Sequence, residues 1–172
     1  MGYLYLLWMP LLGAFETIHE MAMDEIVDMG WVVTAPFNRW LKTHSRVNSL
    51  LSSANTALIF YCMSVILSDV LHGGTRLGTK FLLLSILRAC LGAVTRLPCS
   101  RSIVRCSTDF PPIEWSYFHI FSGHTGVVYL TLGADSVPKV AILVAQSLRL
   151  LSTRGHYTVD ILLGLLMVHV VG

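Results

Sequence analysis

The chain has 172 residues, of which 54% are hydrophobic and 13% are charged. A soluble domain carries about 25% charged residues, so this chain cannot cover its surface with polar groups and much of that surface is expected to face lipid. The formal net charge of +2 is too small to indicate nucleic acid as a partner, and no basic run with interleaved aromatic residues occurs. The length suits one domain, and we expect residues 1–172 to form a single membrane-embedded helix bundle.

Six apolar stretches divide the chain and predict an all-α, multi-pass membrane protein with about six transmembrane helices. They are Tyr3–Ile18, Leu50–Leu71, Phe81–Leu97, Trp115–Leu132, Val137–Leu151 and Tyr157–Val171. A spanning helix needs about 17–25 residues, so the second stretch is long enough and the others are short or marginal. The first is either a signal peptide or an uncleaved span. We favour the span because no Lys or Arg precedes it and no A-x-A-like site follows it.

The longest polar connector runs from Glu16 to Asn48. Its apolar residues are spaced as in an amphipathic helix at the membrane interface, although an ordinary solvated loop fits the pattern about equally well. These apolar residues are Met21, Ile26, Val27, Trp31 and Val32. The distribution of Lys and Arg does not settle which side of the membrane each loop faces.

The four cysteines do not have the C-x-x-C spacing of a metal site, and no cluster of aspartates suggests a bound metal, so we expect neither metal nor cofactor. Cys62 and Cys90 fall within apolar stretches and are expected to be packing residues. Cys99 and Cys106 share a polar loop, where a pairing would need an oxidising lumen.

Two strings near the C-terminal end carry the chemistry. Phe-Ser-Gly-His ends at His124, and Arg-Gly-His-Tyr-Thr-Val-Asp runs from Arg154 to Asp160. Asp160 follows His156 by four residues, which places the two side chains on one face of a helix. The loops before the two strings follow the third and the fifth stretch, both odd-numbered. We therefore expect His124 and His156 on the same side of the membrane.

Two histidines and a carboxylate suit phosphoryl-type transfer on a lipid headgroup. Such a reaction needs a nucleophile, an acid for the leaving oxygen and cations for the phosphoryl oxygens. His156 can attack phosphorus if Asp160 fixes its tautomer, and His124 can protonate the leaving glycerol oxygen. A lone histidine at a membrane interface is more often structural, so the prediction depends on the two strings jointly.

Further residues are candidates for binding the phosphate. The helix start at Gly123 can offer backbone N–H groups, and Ser122 can add a hydroxyl. Arginine suits bidentate contact with phosphate, which makes Arg88, Arg149 and Arg154 candidates. Arg88 lies inside an apolar stretch, where an ionisable residue indicates function unless it extends to the interface. Asp109 can bind a choline-like cation, but a solvated loop acid is the more favoured interpretation.

The two strings resemble the lipid phosphate phosphatase superfamily in its sphingomyelin-synthase-like branch, which shares the HYTVD string. Within that branch, several strings are similar to the plant phosphatidylcholine:diacylglycerol cholinephosphotransferase family. They are Leu150–Asp160, Arg88–Gly92, Thr95–Pro98, Asp109–Pro111 and Asn55–Ala57. The Lys-x6-Arg-Pro element that opens the general superfamily pattern is absent, and only Arg88 and Leu97-Pro98 stand in that region.

The resemblance implies transfer of phosphocholine from phosphatidylcholine to diacylglycerol in the endoplasmic reticulum membrane. It implies that His156 is the nucleophile, Asp160 its orienting acid and His124 the second histidine. Two alternatives stay open, a lipid phosphate phosphatase acting on phosphatidic acid and a non-catalytic membrane protein. The sequence leaves the oligomeric state open. Its short termini predict either a short paralogue or an incomplete gene model.

Overall fold

The structure is a computed structural model that describes residues 28–98, 100, 102–110 and 117–171. In this part of the chain, seven helices and a two-stranded antiparallel ribbon occur, which confirms the all-α fold class at this level. The elements are α1 Met29–Val33, α2 Ala35–Thr43, α3 Ser45–Leu71, α4 Arg76–Val94, β1 Arg96–Pro98, β2 Tyr117–His119, α5 Gly123–Leu132, α6 Val137–Ser152 and α7 Thr158–Val170.

Helix α3 is the longest element described. Its 27 residues span about 40 Å, which exceeds the roughly 30 Å hydrocarbon core of a bilayer. Within the described ranges, it is the one helix long and apolar enough to cross a membrane, and α7 is a shorter apolar helix. The carboxylate of Asp69 accepts from the backbone N–H of Leu77 at 3.1 Å and so joins the end of α3 to the start of α4.

The predicted apolar stretches match the helices unevenly. The second, fifth and sixth stretches fall within or nearly coincide with α3, α6 and α7. The prediction that the fourth stretch is helical throughout is wrong, because Tyr117–His119 is extended and α5 begins only at Gly123. The third stretch likewise ends as a strand, since Pro98 cannot continue a helix. The first stretch lies outside the described residues, so six transmembrane helices remain a prediction.

Helix α5 is the centre of the bundle and packs against α3, α4, α6 and α7. Its crossing with α7 is close because glycine occupies the contact. A Cβ at Gly164 would lie only 2.8 Å from the carbonyl oxygen of Ser122. Ser122 also donates its backbone N–H to the carbonyl of Asp160 at 2.7 Å. The two predicted strings are therefore joined directly through their backbones.

The hydrophobic core lies on one side of α5. It is formed by buried apolar residues of α3, α5 and α6, which are Ile59, Cys62, Ile66, Val127, Val128, Leu130 and Leu143. Cys62 is thus a packing residue, as predicted. Cys90 is exposed, so the prediction of a packing role for this residue is wrong. Cys106 is a free thiol. Cys99 lies outside the described residues.

The described part of the long connector is helical. Helices α1 and α2 occupy Met29–Thr43, so the alternative of an ordinary loop is wrong for these residues. On α2, the exposed aromatic residues Phe37 and Trp40 lie close in sequence to the exposed bases Arg39 and Lys42, while Leu41 is buried. This amphipathic pattern is the one expected of an interfacial helix. The connector residues before Asp28 lie outside the described residues.

Candidate active site

The Ser-Gly-His string starts helix α5 at a sharp turn. Phe121 has φ +52°, a left-handed conformation that is uncommon for a residue with a Cβ. Ser122 then caps α5, because its Oγ accepts from the backbone N–H of Thr125 at 3.2 Å. The β1–β2 ribbon, with Arg96 opposite His119, brings the residues that follow α4 beside those that precede the turn. As a result, the first turn of α5 faces the C-terminal half of α4.

His156, Asp160 and His124 form the centre of the site. Nδ1 of His156 lies 2.9 Å from Oδ2 of Asp160, as their spacing predicts. Nε2 of His156 lies 3.5 Å from Nδ1 of His124 and 3.4 Å from the hydroxyl of Ser122. Asp160 is fully buried and His156 is only 7% exposed. The structure therefore brings together the two strings that the sequence singled out.

The hydrogen-bond partners assign the tautomers of both rings. The Asp160 carboxylate accepts a hydrogen bond from Nδ1 of His156, so Nδ1 carries the proton. Nε2 of His156 is left with a lone pair. Nε2 of His124 lies 2.6 Å from the carbonyl oxygen of Phe110. Because a carbonyl can only accept, this nitrogen carries the proton and Nδ1 keeps the lone pair. In their neutral forms, the two histidines thus direct lone pairs toward the same point.

Arg88 extends from α4 to the start of α5. Its Nε donates to the carbonyl of Phe121 at 3.4 Å. A Cβ at position 123 would lie 3.2 Å from Cζ and Nε of the guanidinium, so glycine lets Arg88 lie close over the first residue of α5. The charges of Arg88 and Asp160 also interact favourably. A cation therefore lies beside the helix start where an anion would be held.

Arg154 occupies the left-handed position in the turn that ends α6. Its φ is +58°, its N–H donates to the carbonyl of Leu151 at 3.1 Å, and Gly155 donates to Leu150 at 3.0 Å. These two bonds define a Schellman motif, in which glycine usually takes the position held here by Arg154. Only the next residue is glycine. A residue with a Cβ therefore holds a strained backbone position two residues before His156.

The Arg154 guanidinium is buried but only partly partnered. Its Nε and Nη1 have no hydrogen-bond partner among the described residues, and the group lies 5.1 Å from the ring centre of Trp31. Burial lowers the pKa of Arg154, and the nearby Asp28 carboxylate opposes that shift. Arginine stays protonated at neutral pH. These donors keep Arg154 a candidate for binding an anion.

Replacing Arg154 separates backbone strain from the role of its charge. We expect Arg154→Gly to be more stable than Arg154→Ala by about 1 kcal/mol, because only glycine adopts positive φ without a steric cost. Both variants lack the guanidinium, so a difference in stability between them reports the backbone conformation and not the charge. Thermal unfolding in detergent measures this difference. Lys42 is the control position, because it is helical and exposed. There the order should reverse, and Lys42→Ala should be about 1 kcal/mol more stable than Lys42→Gly. Equal stability of the two Arg154 variants would contradict the assignment of strain.

Arg149 and Asp109 are paired with each other. Nη2 of Arg149 bonds to Oδ1 of Asp109, and the same carboxylate oxygen accepts from the hydroxyl of Ser52 at 2.8 Å. The prediction that Asp109 is a solvated loop acid is therefore wrong. Arg149 is buried and its charge lies close enough to interact with His124. Its role in phosphate binding remains a prediction, because a carboxylate already occupies part of its guanidinium.

Ser122 is fully buried and accepts from both the N–H and the hydroxyl of Thr125. Its own proton is left to point toward His156. The predicted donation from Ser122 to a phosphate is untested. Among the described residues, no group of three or more His, Cys, Asp and Glu side chains is arranged to hold a metal ion.

Three contributors to the site escaped the sequence analysis. The carbonyl of Phe110 is a backbone group and gives no side-chain signal. Asp28 and Trp31 contact the His156 loop across more than 120 residues of chain. The only local signal was that Asp28 stands directly before a helix, where aspartate is a preferred cap.

Fold and site together define a helical protein in which a buried His–Asp pair faces a second histidine, with arginines around them. The family model described as AtPDCT1/2 matches residues 27–171, and the chain therefore belongs to that family. Two curated relatives from Arabidopsis thaliana are similar to it. Phosphatidylcholine:diacylglycerol cholinephosphotransferase 1 is 32% identical over 152 residues, which cover 83% of this chain and 50% of the relative.

Phosphatidylcholine:diacylglycerol cholinephosphotransferase 2 is 29% identical, over 91% of this chain and 60% of the relative. The chain thus spans about half to three fifths of the length of these curated relatives. No solved structure matches it at a comparable level of significance. The family is therefore established by sequence similarity.

Proposed function

We propose that the protein is a phosphatidylcholine:diacylglycerol cholinephosphotransferase that forms a single domain, multi-pass in the endoplasmic reticulum membrane. Membership of the AtPDCT1/2 family supports the substrates, and the names of both relatives include the reaction. The observation that carries the mechanism is the buried pair of His156 and Asp160 facing His124 across 3.5 Å. A long apolar helix and exposed apolar side chains on α3, α4, α6 and α7 support the membrane location.

In the first half of the proposed cycle, Nε2 of His156 attacks the phosphorus of phosphatidylcholine. A P–N bond forms and the P–O bond to diacylglycerol breaks. His124 enters the cycle as the imidazolium, with a proton on each nitrogen, and gives its Nδ1 proton to the departing oxygen. Asp160 stabilises the positive charge that develops on His156, because it accepts the Nδ1 proton of that ring at 2.9 Å. Arg88 and Arg154 are the proposed ligands of the phosphoryl oxygens.

In the second half, the hydroxyl of another diacylglycerol attacks the phosphocholine-histidine. His124 now takes the hydroxyl proton, the new P–O bond forms and His156 is released. A phosphatase would use water at this step, so exclusion of water decides between the two reactions. The burial of His156 and Asp160 favours the transferase.

The proposal is tested with membranes that contain the chain, radiolabelled diacylglycerol and unlabelled phosphatidylcholine. We expect the label to enter phosphatidylcholine, and His124→Ala to lower the rate by about 10²–10⁴-fold, the usual contribution of a general acid–base group. His72→Ala is the matched control, because His72 is exposed at the end of α3, and it should leave the rate unchanged.

Two results would contradict the proposed reaction. Phosphate release from phosphatidic acid without exchange would identify a lipid phosphate phosphatase. Normal membrane insertion with neither activity would identify a non-catalytic member of the family.

A further inference from the structure

We propose that Asp28 is a positioning residue for the His156 loop. Its carboxylate joins the start of α1 to the start of α7, and it thereby fixes the chain that carries His156. This inference rests on the proposed function, because it assigns Asp28 a part in positioning the nucleophile of that reaction.

The Asp28 carboxylate caps two helices at once. Its Oδ1 accepts from the backbone N–H of Trp31 at 3.0 Å, which caps α1. Its Oδ2 accepts from the backbone N–H of Thr158 at 2.7 Å, which caps α7. The Thr158 hydroxyl also donates to Oδ1 at 2.6 Å. A cap ordinarily comes from the residue just before its helix, whereas α7 receives its acid from 130 residues away.

Gly30 and Trp31, which come directly after Asp28, contact three consecutive residues of the loop and the start of α7. The Trp31 indole N–H donates to the carbonyl of His156 at 2.7 Å, and its ring stacks on Tyr157 with centroids 4.3 Å apart. Gly30 donates its N–H to the Thr158 hydroxyl at 3.0 Å, and a Cβ at Gly30 would lie 2.3 Å from that oxygen. The approach is therefore as close as a backbone without a side chain permits.

These contacts fix the backbone on both sides of His156. The loop runs from the strained Arg154 to the first residue of α7. The contacts with residues 28–31 act there together with the bond between His156 and Asp160 and the one from Tyr157 to the Pro98 carbonyl. A displacement of about 1 Å at a reacting group can cost about 100-fold in rate. Both oxygens of the Asp28 carboxylate bond to protein donors, so we expect Asp28 to act on the reaction through this placement.

The test combines two variants that break the same contact from opposite ends. Asp28→Asn leaves one acceptor oxygen in place of two, and Thr158→Val removes the hydroxyl. Each should lower the maximum exchange rate per mole of inserted protein by about tenfold. The half-saturating fraction of diacylglycerol should stay unchanged. The double variant should be no worse than the poorer single one, because both act through one contact. Thr158→Ser should restore most of the rate.

Thr34→Val is the matched control. Thr34 is buried at the other end of α1, and its hydroxyl donates to the carbonyl of Gly30 at 2.6 Å within the same helix. We expect its rate to match that of the unsubstituted chain. A loss as large as that of Asp28→Asn would show that α1 merely has to be folded, and would overturn the proposal. A full rate in Asp28→Asn would overturn it as well.

A second readout does not depend on turnover. Diethyl pyrocarbonate modifies accessible neutral histidines, and mass spectrometry of the His156 peptide measures the rate. We expect His156 to react several-fold faster in Asp28→Asn and at the unsubstituted rate in Thr34→Val. Faster modification in a chain that shows no lipid exchange would support the positioning role and reject the proposed function. Modification and lipid exchange that are both unchanged in Asp28→Asn would reject the positioning role and leave the proposed function in place.

Discussion

Membranes carrying His156→Ala are expected to lose headgroup exchange by at least about 10⁴-fold, to the level of membranes without the protein. The His156 imidazole supplies the lone pair that Asp160 supports. Its removal leaves a site that can still bind lipid through the arginines but has lost the proposed nucleophile. Losses of this size follow the removal of nucleophiles from comparable triads. His169→Ala is the matched control, because His169 lies exposed on the same helix as Asp160 and is bonded to the hydroxyl of Tyr129.

The intermediate itself gives a sharper measurement of the same prediction. Brief incubation with phosphatidylcholine labelled in the choline should leave label on the protein. Because a P–N bond to histidine is labile in acid and stable in alkali, the label should survive alkali only. It should be absent in His156→Ala. Full exchange with no trapped label in any condition would favour direct transfer between the two diacylglycerols.

Asp160→Asn is expected to lower the maximum exchange rate by about 10³–10⁴-fold, the loss that follows when a triad aspartate becomes its amide. The amide is nearly the same shape, but its NH₂ group can donate to Nδ1 of His156. The proton then moves to Nε2, where the attacking lone pair is needed. The positive charge that develops on the ring also loses its partner. The measurement is the exchange rate at saturating diacylglycerol.

Stability should not fall with activity in this variant. Asp160 is fully buried, and its Oδ1 has no hydrogen-bond partner among the described residues. Burying an ionised carboxylate is costly, so the neutral amide should unfold at the same temperature or higher. Asp135→Asn, at an exposed acid paired with Lys139, is the control for both readouts. An exchange rate within about tenfold of the unsubstituted chain would show that Asp160 does not set the tautomer.

The centre of the site followed from the sequence because its geometry is local. His156 and Asp160 are one helical turn apart, and Ser122 stands directly before the helix that it caps. The meeting of His124 with His156 needed only the alternation of apolar stretches. Each of these inferences depends on chain direction and spacing, which the sequence contains.

Contacts between distant segments did not follow from the sequence. Asp109 was expected to be solvated, yet it pairs with Arg149 and accepts from Ser52, which lies 57 residues earlier. Nothing in a polar loop indicates which buried arginine it will meet. Residues 117–119 were expected to be helical because they are apolar, but pairing with β1 outweighs that tendency. Arg154 holds the left-handed position of its turn, although glycine, the usual residue there, is its neighbour in the chain.

The facing lone pairs of His124 and His156 have a consequence for the proton balance of the proposed cycle. The proton that His124 gives to one diacylglycerol is replaced by the proton it takes from the next. Nε2 of the same ring is bonded to the Phe110 carbonyl at 2.6 Å, so the exchanged proton is the one on Nδ1. No net proton enters or leaves between the two halves. The site can therefore complete its turnover without contact with bulk water, an independence that a hydrolase working from the same three side chains could not have.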